Sequence, residues 1–392
     1  RRVRIHLQHR ELALTTIPDS TVPHAWIRVD LSAIQSNIAA VDEYVGAEVD
    51  VMAVVKADAY GHGLEKAASA TIEGGAACLG VATVDEGLRL RAAGITIPVL
   101  VLGIALPEAA PDVVAADLSQ TVSSQESLRV LETAAKASGK TVAVHLKIET
   151  GMGRIGVYPD EVSELITYVD DSETLLFEGL ATHVGWGHSQ TDLITEQVAQ
   201  FNQILADLEG TTPPPRWRHA ANSLVTLISP TAHLDMVRVG LLTYGISPAP
   251  SLDHELVSHL TPALSVHARI THIRTLRPGQ PVSYGGTSRV ETLTEAAIVP
   301  VGYGDGYPRF PSSDGFVLID GKPSPILGSV CMDQLVIDVS DRKVSVGDEV
   351  VLLGTSGSTR ITAPDLATAA GRIPYEMVTS LGATRLPFTY IS

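Results

Sequence analysis

The sequence predicts an α/β chain, an N-terminal (β/α)8 barrel of the TIM type followed by a C-terminal mainly-β domain. Two observations carry that prediction. Between residues 50 and 239, eight short apolar segments alternate with helical patterns, the rhythm of parallel strands returned by crossover helices. Past Pro262 the rhythm changes, and strands follow one another with turn signals between them. The chain has 392 residues, 45% of them hydrophobic, enough for two domains with sizeable cores. The expected boundaries are a poorly ordered extension over 1–20, the barrel over 21–262 and the mainly-β domain over 263–392. The first strand is free to join the β domain. A doubly wound open sheet shows the same alternation and is the alternative to a closed barrel.

The elements follow in order. From Trp26 a short strand leads into Asp30-Leu31-Ser32, where Asp30 or Ser32 can cap the next helix. The barrel strands are expected at Asp50–Val55, Cys78–Ala82, Pro98–Gly103, Gln120–Val122, Val142–Ile148, Glu178–His183, Trp217–Ala220 and Met236–Val239. Helical patterns occupy Leu64–Glu73, Val84–Ala93, Ser124–Ser138 and Thr195–Leu208. The β domain is expected to hold strands at Leu264–Thr275, Ala296–Val301, Phe316–Ile319, Leu335–Val339 and Glu349–Leu353. Arg277-Pro278-Gly279 and Asp320-Gly321 mark turns between them. A helix over Thr362–Ala370 can start at Thr362 or Asp365.

Composition excludes several classes. The formal charge is −16, from 44 acidic and 28 basic side chains, which argues against non-specific nucleic-acid or anionic-membrane binding. The two cysteines, Cys78 and Cys331, give neither a disulfide framework nor zinc-finger spacing, and fit a reducing cytoplasm. No metal site is expected. No apolar stretch approaches a membrane span, and Arg1–Ser20 lacks the apolar centre of a secretory signal. A dinucleotide site has no support, because no G-x-G-x-x-G follows the first barrel strand.

In a barrel, chemistry collects where the strands end. Lys56 ends the first apolar run, and burial there turns an ammonium into a usable amine nucleophile. A lone strand-end lysine more often snorkels to solvent. Its company argues otherwise. Lys147 and Arg154 flank the fifth strand, His183 ends the sixth, Asn222 and Ser223 the seventh, and Arg238 and Gly240 the eighth. Ser223, Tyr60 and the Arg238–Gly240 turn can supply a hydroxyl, a phenol and backbone N–H groups to a phosphate. A phosphate cradle, a lysine and an arginine at one mouth point to pyridoxal 5'-phosphate.

Eight collinear segments then carry a resemblance. They are Ala53–Gly63, Thr150–Gly156, Ala181–His183, His219–Ser223, Arg238–Gly240, Val282–Gly285, Gly302–Arg309 and Val330–Gln334, running from near Trp26 to the C-terminus. The chain resembles the alanine racemases, fold-type III pyridoxal-phosphate enzymes. The resemblance implies that Lys56 holds the cofactor and works on one face of the substrate's α-carbon. Tyr284 of the partner subunit would work on the other, with His183 beside it and Arg238 beyond. It implies that Arg238 faces the pyridine nitrogen and, as an obligate donor, leaves that nitrogen unprotonated. Tyr60, Arg154, His183, Asn222, Ser223, Gly240 and Leu241 would complete the cofactor site. Arg154, Met332 and Tyr303 would bind substrate, Met332 from the partner subunit. Lys147 matches a lysine that is often carbamylated in the family and that braces Arg154.

The implied protein is a cytoplasmic homodimer with shared sites, supplying D-alanine for peptidoglycan. Departures from the family pattern sit around the substrate entrance: Glu149 for a common Asp, Ser329 where an arginine is frequent, Thr384 before Arg385, and Gly185-Trp186-Gly187-His188-Ser189. They leave the reaction class intact and open the selectivity to serine or a broader set of amino acids. A related pyridoxal-phosphate decarboxylase is a second reading. Two bases favour racemisation over it, since decarboxylation needs no second base at the α-carbon. A non-enzymatic cofactor carrier is a third, but such carriers resemble the barrel alone.

Overall fold

The computed structural model describes residues 22–392 apart from 186, 211–212, 250, 287 and 311–314. The expected extension over 1–20 lies outside the described residues. Strand β1 (Ala25–Asp30) enters a helix over Leu31–Val45, and the Asp30 carboxylate caps it by accepting from Ala33 N at 3.0 Å. Eight parallel strands follow: β2 (Asp50–Val54), β3 (Cys78–Val81), β4 (Val99–Val101), β5 (Ser119–Val122), β6 (Val142–Lys147), β7 (Leu175–Ala181), β8 (Trp217–His219) and β9 (Met236–Val239). Their order is β8-β7-β6-β5-β4-β3-β2-β9. The seam between β8 and β9 is closed by Asp235 N to Arg218 O at 3.1 Å and Arg238 N to Ala221 O at 2.9 Å. This is the barrel the sequence predicts, rather than an open sheet.

The barrel floor is apolar. Met52, Cys78, Leu100, Trp217 and Met236 pack as one buried cluster, and the Trp217 indole N–H donates to Asp50 at 2.7 Å. Above it the interior turns polar, with His145, His219 and Arg238 buried. A barrel of this kind is filled rather than hollow, so any site must open where the strands end.

The second half is built from β10 (Leu264–Arg269), β11 (His272–Leu276), β12 (Pro281–Val282), β13 (Ser288–Arg289), β14 (Thr294–Val299), β15 (Phe316–Ile319), β16 (Lys322–Pro325), β17 (Leu335–Asp338), β18 (Glu349–Ser356), β19 (Thr359–Ile361) and β20 (Phe388–Ile391). The single strand expected over Leu264–Thr275 is two strands in two sheets. β10 pairs with β1 and β18, while β11 pairs with β14. The chain turns at Ile270-Thr271 without a glycine or proline to announce it. β1 lies inside this half's large sheet, antiparallel to β10 and parallel to β20. A capping box of Thr362 and Asp365 starts the helix over Ala363–Ala370. A further helix, Pro374–Gly382, has no counterpart in the sequence reading, and it roofs the barrel mouth.

Candidate active site

The C-terminal ends of the barrel strands surround a cavity of about 1090 Å³. Lys56, Tyr60, Lys147, Arg154, His183, Asn222, Ser223, Arg238 and Gly240 all line it. Leu241 does not. It is buried behind Gly240 in the short turn Leu241–Tyr244.

Lys56 leaves β2 through an unusual turn. Ala57, Asp58, Ala59 and Tyr60 all have φ between 53° and 55°, one turn of left-handed helix. L-residues resist this conformation by about 1–2 kcal/mol each, so surrounding bonds must hold it. The Glu86 carboxylate accepts from Ala57 N at 2.6 Å and from Ala82 N at 2.8 Å, tying the turn to the end of β3. Asp58 accepts from Leu64 N at 3.2 Å and pairs with Arg89 at 2.9 Å. The buried His62 ring reaches the Ala59 and Tyr60 carbonyls at 3.0 and 3.1 Å through Nδ1. Burial pushes that imidazole down to about 4, so it serves the turn as a neutral donor. The turn swings Tyr60 back over the cavity. A Cβ on Gly240 would come within 2.5 Å of the Tyr60 hydroxyl, so Gly240 must stay bare for the phenol to sit there. The Gly240 N–H donates to the Ser223 hydroxyl at 2.8 Å, which joins β9, β8 and the turn at one pole of the cavity.

Cations dominate the rest. Burial first, and then the Arg154 charge, lowers the Lys56 ammonium, with Glu86 opposing. Burial, with Arg238 and Arg154 beyond it, brings Lys147 down to about 8. Arg238 is buried and pinned. Its Nη1 donates to His219 Nδ1 and to the His219 carbonyl at 2.9 Å, and its Nη2 to the Thr182 carbonyl at 2.9 Å. Nη2 also reaches His183 Nδ1 at 3.4 Å. Burial and the Arg238 charge push His183 down to about 2, so it stands at this mouth as a neutral imidazole.

The depressed lysine has a consequence for stability. A folded-state value of about 8 lies below the 10.5 of the free side chain, so between these pH values the unfolded chain holds a proton that the folded one has lost. Stability should therefore rise with pH across that window. Cofactor-free protein and Lys147→Met, compared by chemical denaturation in carbonate-free buffer, should differ most below pH 8, with the variant more stable. The gap should narrow by about 3 kcal/mol by pH 10.5. A gap that does not depend on pH would refute the depressed value.

Arg154 sits on a loop built around Glu149. Its carboxylate accepts from Gly151, Gly153 and Arg154 N–H groups, the latter two at 2.9 and 3.3 Å. Buried Gln197 braces the loop on the other side, donating to Thr150 Oγ1 at 3.1 Å and to the His183 carbonyl at 3.2 Å. Asn222 is committed to structure. It caps the helix over Ser223–Ile228 through Leu224 and Val225 N–H and donates to the Val184 carbonyl at 3.0 Å. Of the entrance departures, Trp186 lies outside the described residues.

Tyr284, Tyr303 and Met332 are not in this cavity. They project together from the second half of the chain on three loops that brace one another. The Ser283 hydroxyl bonds the Ser329 carbonyl, while Tyr303 N and Gly304 N donate to the Cys331 and Met332 carbonyls at 3.0 and 2.7 Å. Buried Asp305 holds the Tyr303 turn from below, accepting from Gly302 N and from Arg385 at 2.8 Å. Tyr284 is 76% exposed and Met332 60%. The chain thus presents a cavity on the barrel and a separate group of exposed aromatic and thioether side chains on its β half.

Sequence reasoning passed over Glu86, Tyr375 and His219 as site residues. Thr83-x-x-Glu86 carries a capping-box spacing that marks Glu86 as a helix-start acid, though not its second bond to Ala57. Among the described residues, no helix is long and apolar enough to cross a membrane, and no group of His, Cys, Asp and Glu is placed to hold a metal.

The residues at the barrel mouth can hold a phosphate at the Tyr60–Ser223–Gly240 pole, a nucleophilic amine at Lys56 and a fixed donor at Arg238. Comparison with known proteins gives the family. Residues 29–248 match the alanine racemase N-terminal domain family and residues 263–390 the alanine racemase C-terminal domain family. The chain is 39% identical over 367 residues to an alanine racemase of Halothermothrix orenii, covering 93% of this chain and 96% of that one. It is 40% identical over 367 residues to one of Symbiobacterium thermophilum, with the same coverage. Among solved structures it is similar to alanine racemase from Streptomyces lavendulae, with a TM-score of 0.89 and 36% identity over 95% of this chain and 98% of that one. It is also similar to the Bacillus anthracis enzyme with bound L-Ala-P, with a TM-score of 0.86 and 34% identity over 95% and 96%. The chain belongs to the alanine racemase family.

Proposed function

We propose that this member of the alanine racemase family is a pyridoxal-phosphate enzyme that interconverts L- and D-alanine in a homodimer with shared sites. The observation that carries the reading is the division of the machinery. The barrel cavity holds the amine of Lys56, while Tyr284 and Met332 face outward from a different part of the chain. Two such chains, each offering its β half to the other's barrel, would complete two sites.

The residues fit the cofactor. Tyr60, Ser223 and Gly240 would hold its phosphate, Lys56 its carbonyl carbon, Arg238 its ring nitrogen and Arg154 its phenolic oxygen. The bound group supplies an electron-withdrawing ring that makes the substrate's α-hydrogen acidic. The chain supplies the rest. The amine of Lys56, made less basic by burial, takes or returns a proton on one face of the α-carbon. The phenolic oxygen of Tyr284 of the partner subunit does so on the opposite face, which is what inverts the centre. Arg154 and the backbone N–H of the partner subunit's Met332 would hold the substrate carboxylate, with Tyr303 beside it. Carbamylation of Lys147 would turn one of several crowded cations into an anion facing Arg154 and Arg238. A mass increase on intact protein would reveal it.

The unpaired cysteines Cys78 and Cys331 support a cytoplasmic setting, and D-alanine for peptidoglycan is the role this reading assigns. Chiral product analysis over a panel of L-amino acids, with and without pyridoxal phosphate, tests it. D-alanine should appear and approach equal amounts of the two enantiomers only with the cofactor. Comparable D-serine would mark a broader enzyme. Carbon dioxide with no D-product would make it a decarboxylase, and binding without turnover a carrier.

A further inference from the structure

Arg238 is a buried cation whose hydrogen bonds, among the described residues, go to imidazole nitrogens and backbone carbonyls rather than to a carboxylate. It shares the cavity with three more cations, Lys147, Arg154 and Lys56, and with one carboxylate, Glu376 on the helix over Pro374–Gly382. Burying an unpaired charge is costly, so its compensation must come from elsewhere. One chain of side chains leads away from it through the barrel interior. Arg238 Nη1 reaches His219 Nδ1 at 2.9 Å, His219 Nε2 reaches His145 Nδ1 at 2.8 Å, and His145 Nε2 reaches Glu178 Oε2 at 3.0 Å. The Ser119 hydroxyl also donates to Glu178. These residues stand on five different strands, so the chain crosses the barrel rather than following one strand.

The order of groups fixes the protons. A guanidinium only donates and an ionised carboxylate only accepts. Between two such ends, each imidazole must accept at Nδ1 and donate from Nε2. Both histidines are then neutral, in one tautomer. Burial holds the His219 imidazole well below its ordinary value, in keeping with a neutral ring. Burial would raise the Glu178 carboxyl, but its partners, His145 first and then Ser119 and Arg216, together outweigh it and the group lies low, ionised at the chain's end. The backbone makes room. A Cβ on Gly179 would fall 2.1 Å from His145 Nδ1, and the β6–β7 ladder shifts register at Val144/His145. With Nη1 and Nη2 committed to the protein, Arg238 Nε–H is the donor without a protein partner among the described residues.

We propose that His219, His145 and Glu178 are positioning residues. They form a buried hydrogen-bond chain, locked in one tautomer, that gives Arg238 its counter-charge at a distance and fixes which N–H it turns to the cavity. The proposal rests on the pyridoxal-phosphate reading, in which Arg238 meets the ring nitrogen.

The test uses Glu178→Gln, nearly isosteric but uncharged, His145→Phe, which cuts the chain, and the double variant. All are purified with pyridoxal phosphate. Glu178→Gln should retain the cofactor but shift its absorbance spectrum at fixed pH. Its kcat for alanine should fall about tenfold while KM moves less than about twofold. The double variant should lose no more than about twofold beyond the worse single variant, because a cut chain is not cut again. A wild-type spectrum and kcat in Glu178→Gln, or losses that multiply in the double variant, overturn the proposal. Should Glu178→Gln not fold, Ser119→Ala removes only the second donor to Glu178. A spectral shift there supports the chain and an unchanged spectrum overturns it. If the wild-type protein neither binds pyridoxal phosphate nor racemises alanine, the site reading itself falls. Wild-type turnover with unaltered variants defeats the chain alone.

Discussion

Lys56→Ala and Tyr284→Phe subunits, each expected to be nearly inactive alone, should regain about a quarter of wild-type turnover when dissociated, mixed and re-assembled. Each substitution removes one of the two proton-carrying groups, and each homodimer should fall by at least about 10³-fold in kcat. Random re-assembly makes half of the dimers mixed. In a mixed dimer one site carries both substitutions and the other carries neither, so a quarter of all sites are intact. The expectation follows from where the chain places its groups. Lys56 lines the barrel cavity, while Tyr284 stands exposed beside Tyr303 and Met332 on loops that bond one another and do not line the cavity. Mixed subunits that stay inactive, when re-assembled wild type recovers, would place both bases in one chain and defeat the shared site.

The second large effect is on stability. Gly61→Ala should cost about 3 kcal/mol or more, read by urea denaturation, and should loosen cofactor retention. Gly61 closes the left-handed turn after Lys56 with φ +80°, and a Cβ there would lie 2.3 Å from the Val378 carbonyl oxygen. That oxygen belongs to the helix over Pro374–Gly382, which passes close over the turn and also lines the cavity through Tyr375. The methyl group would have to push the helix off the turn or carry Lys56 with it. A cost under about 1 kcal/mol, the ordinary penalty of a positive φ, would show that the close approach is not needed.

Both predictions draw on features that were unevenly legible in the sequence. The barrel strands showed because buried parallel strands are short apolar runs between helical patterns. The polar residues at their ends showed because a barrel gathers strand ends at one mouth. The turn at Ala57–Tyr60 did not. Alanine, aspartate and tyrosine carry no signal for left-handed backbone, and the turn is held by Glu86, which arrives from 29 residues downstream. The helix over Pro374–Gly382 follows Gly371-Arg372-Ile373, and such short stretches near a terminus carry little periodicity. His219 was visible as part of a motif at a strand end. Its bond to His145 was not, because local sequence does not specify contacts across the barrel interior.

The placement of β1 sets the order in which the molecule can be completed. Ala25 pairs with Ala268, and Ile27 with Phe388. β1 is thus an inner strand of a sheet whose other strands all come after residue 263, and it emerges before either of the two strands that flank it. The eight-stranded barrel can close while β1 waits, since none of its ladders uses that strand. The β half cannot, because a fragment starting at residue 263 would have β10 and β20 with a gap between them. The two halves are separable in the line of sequence and inseparable in assembly. The loops bearing Tyr284 and Met332 belong to the β half, so a chain cut short before β20 carries them on a half whose large sheet is unfinished.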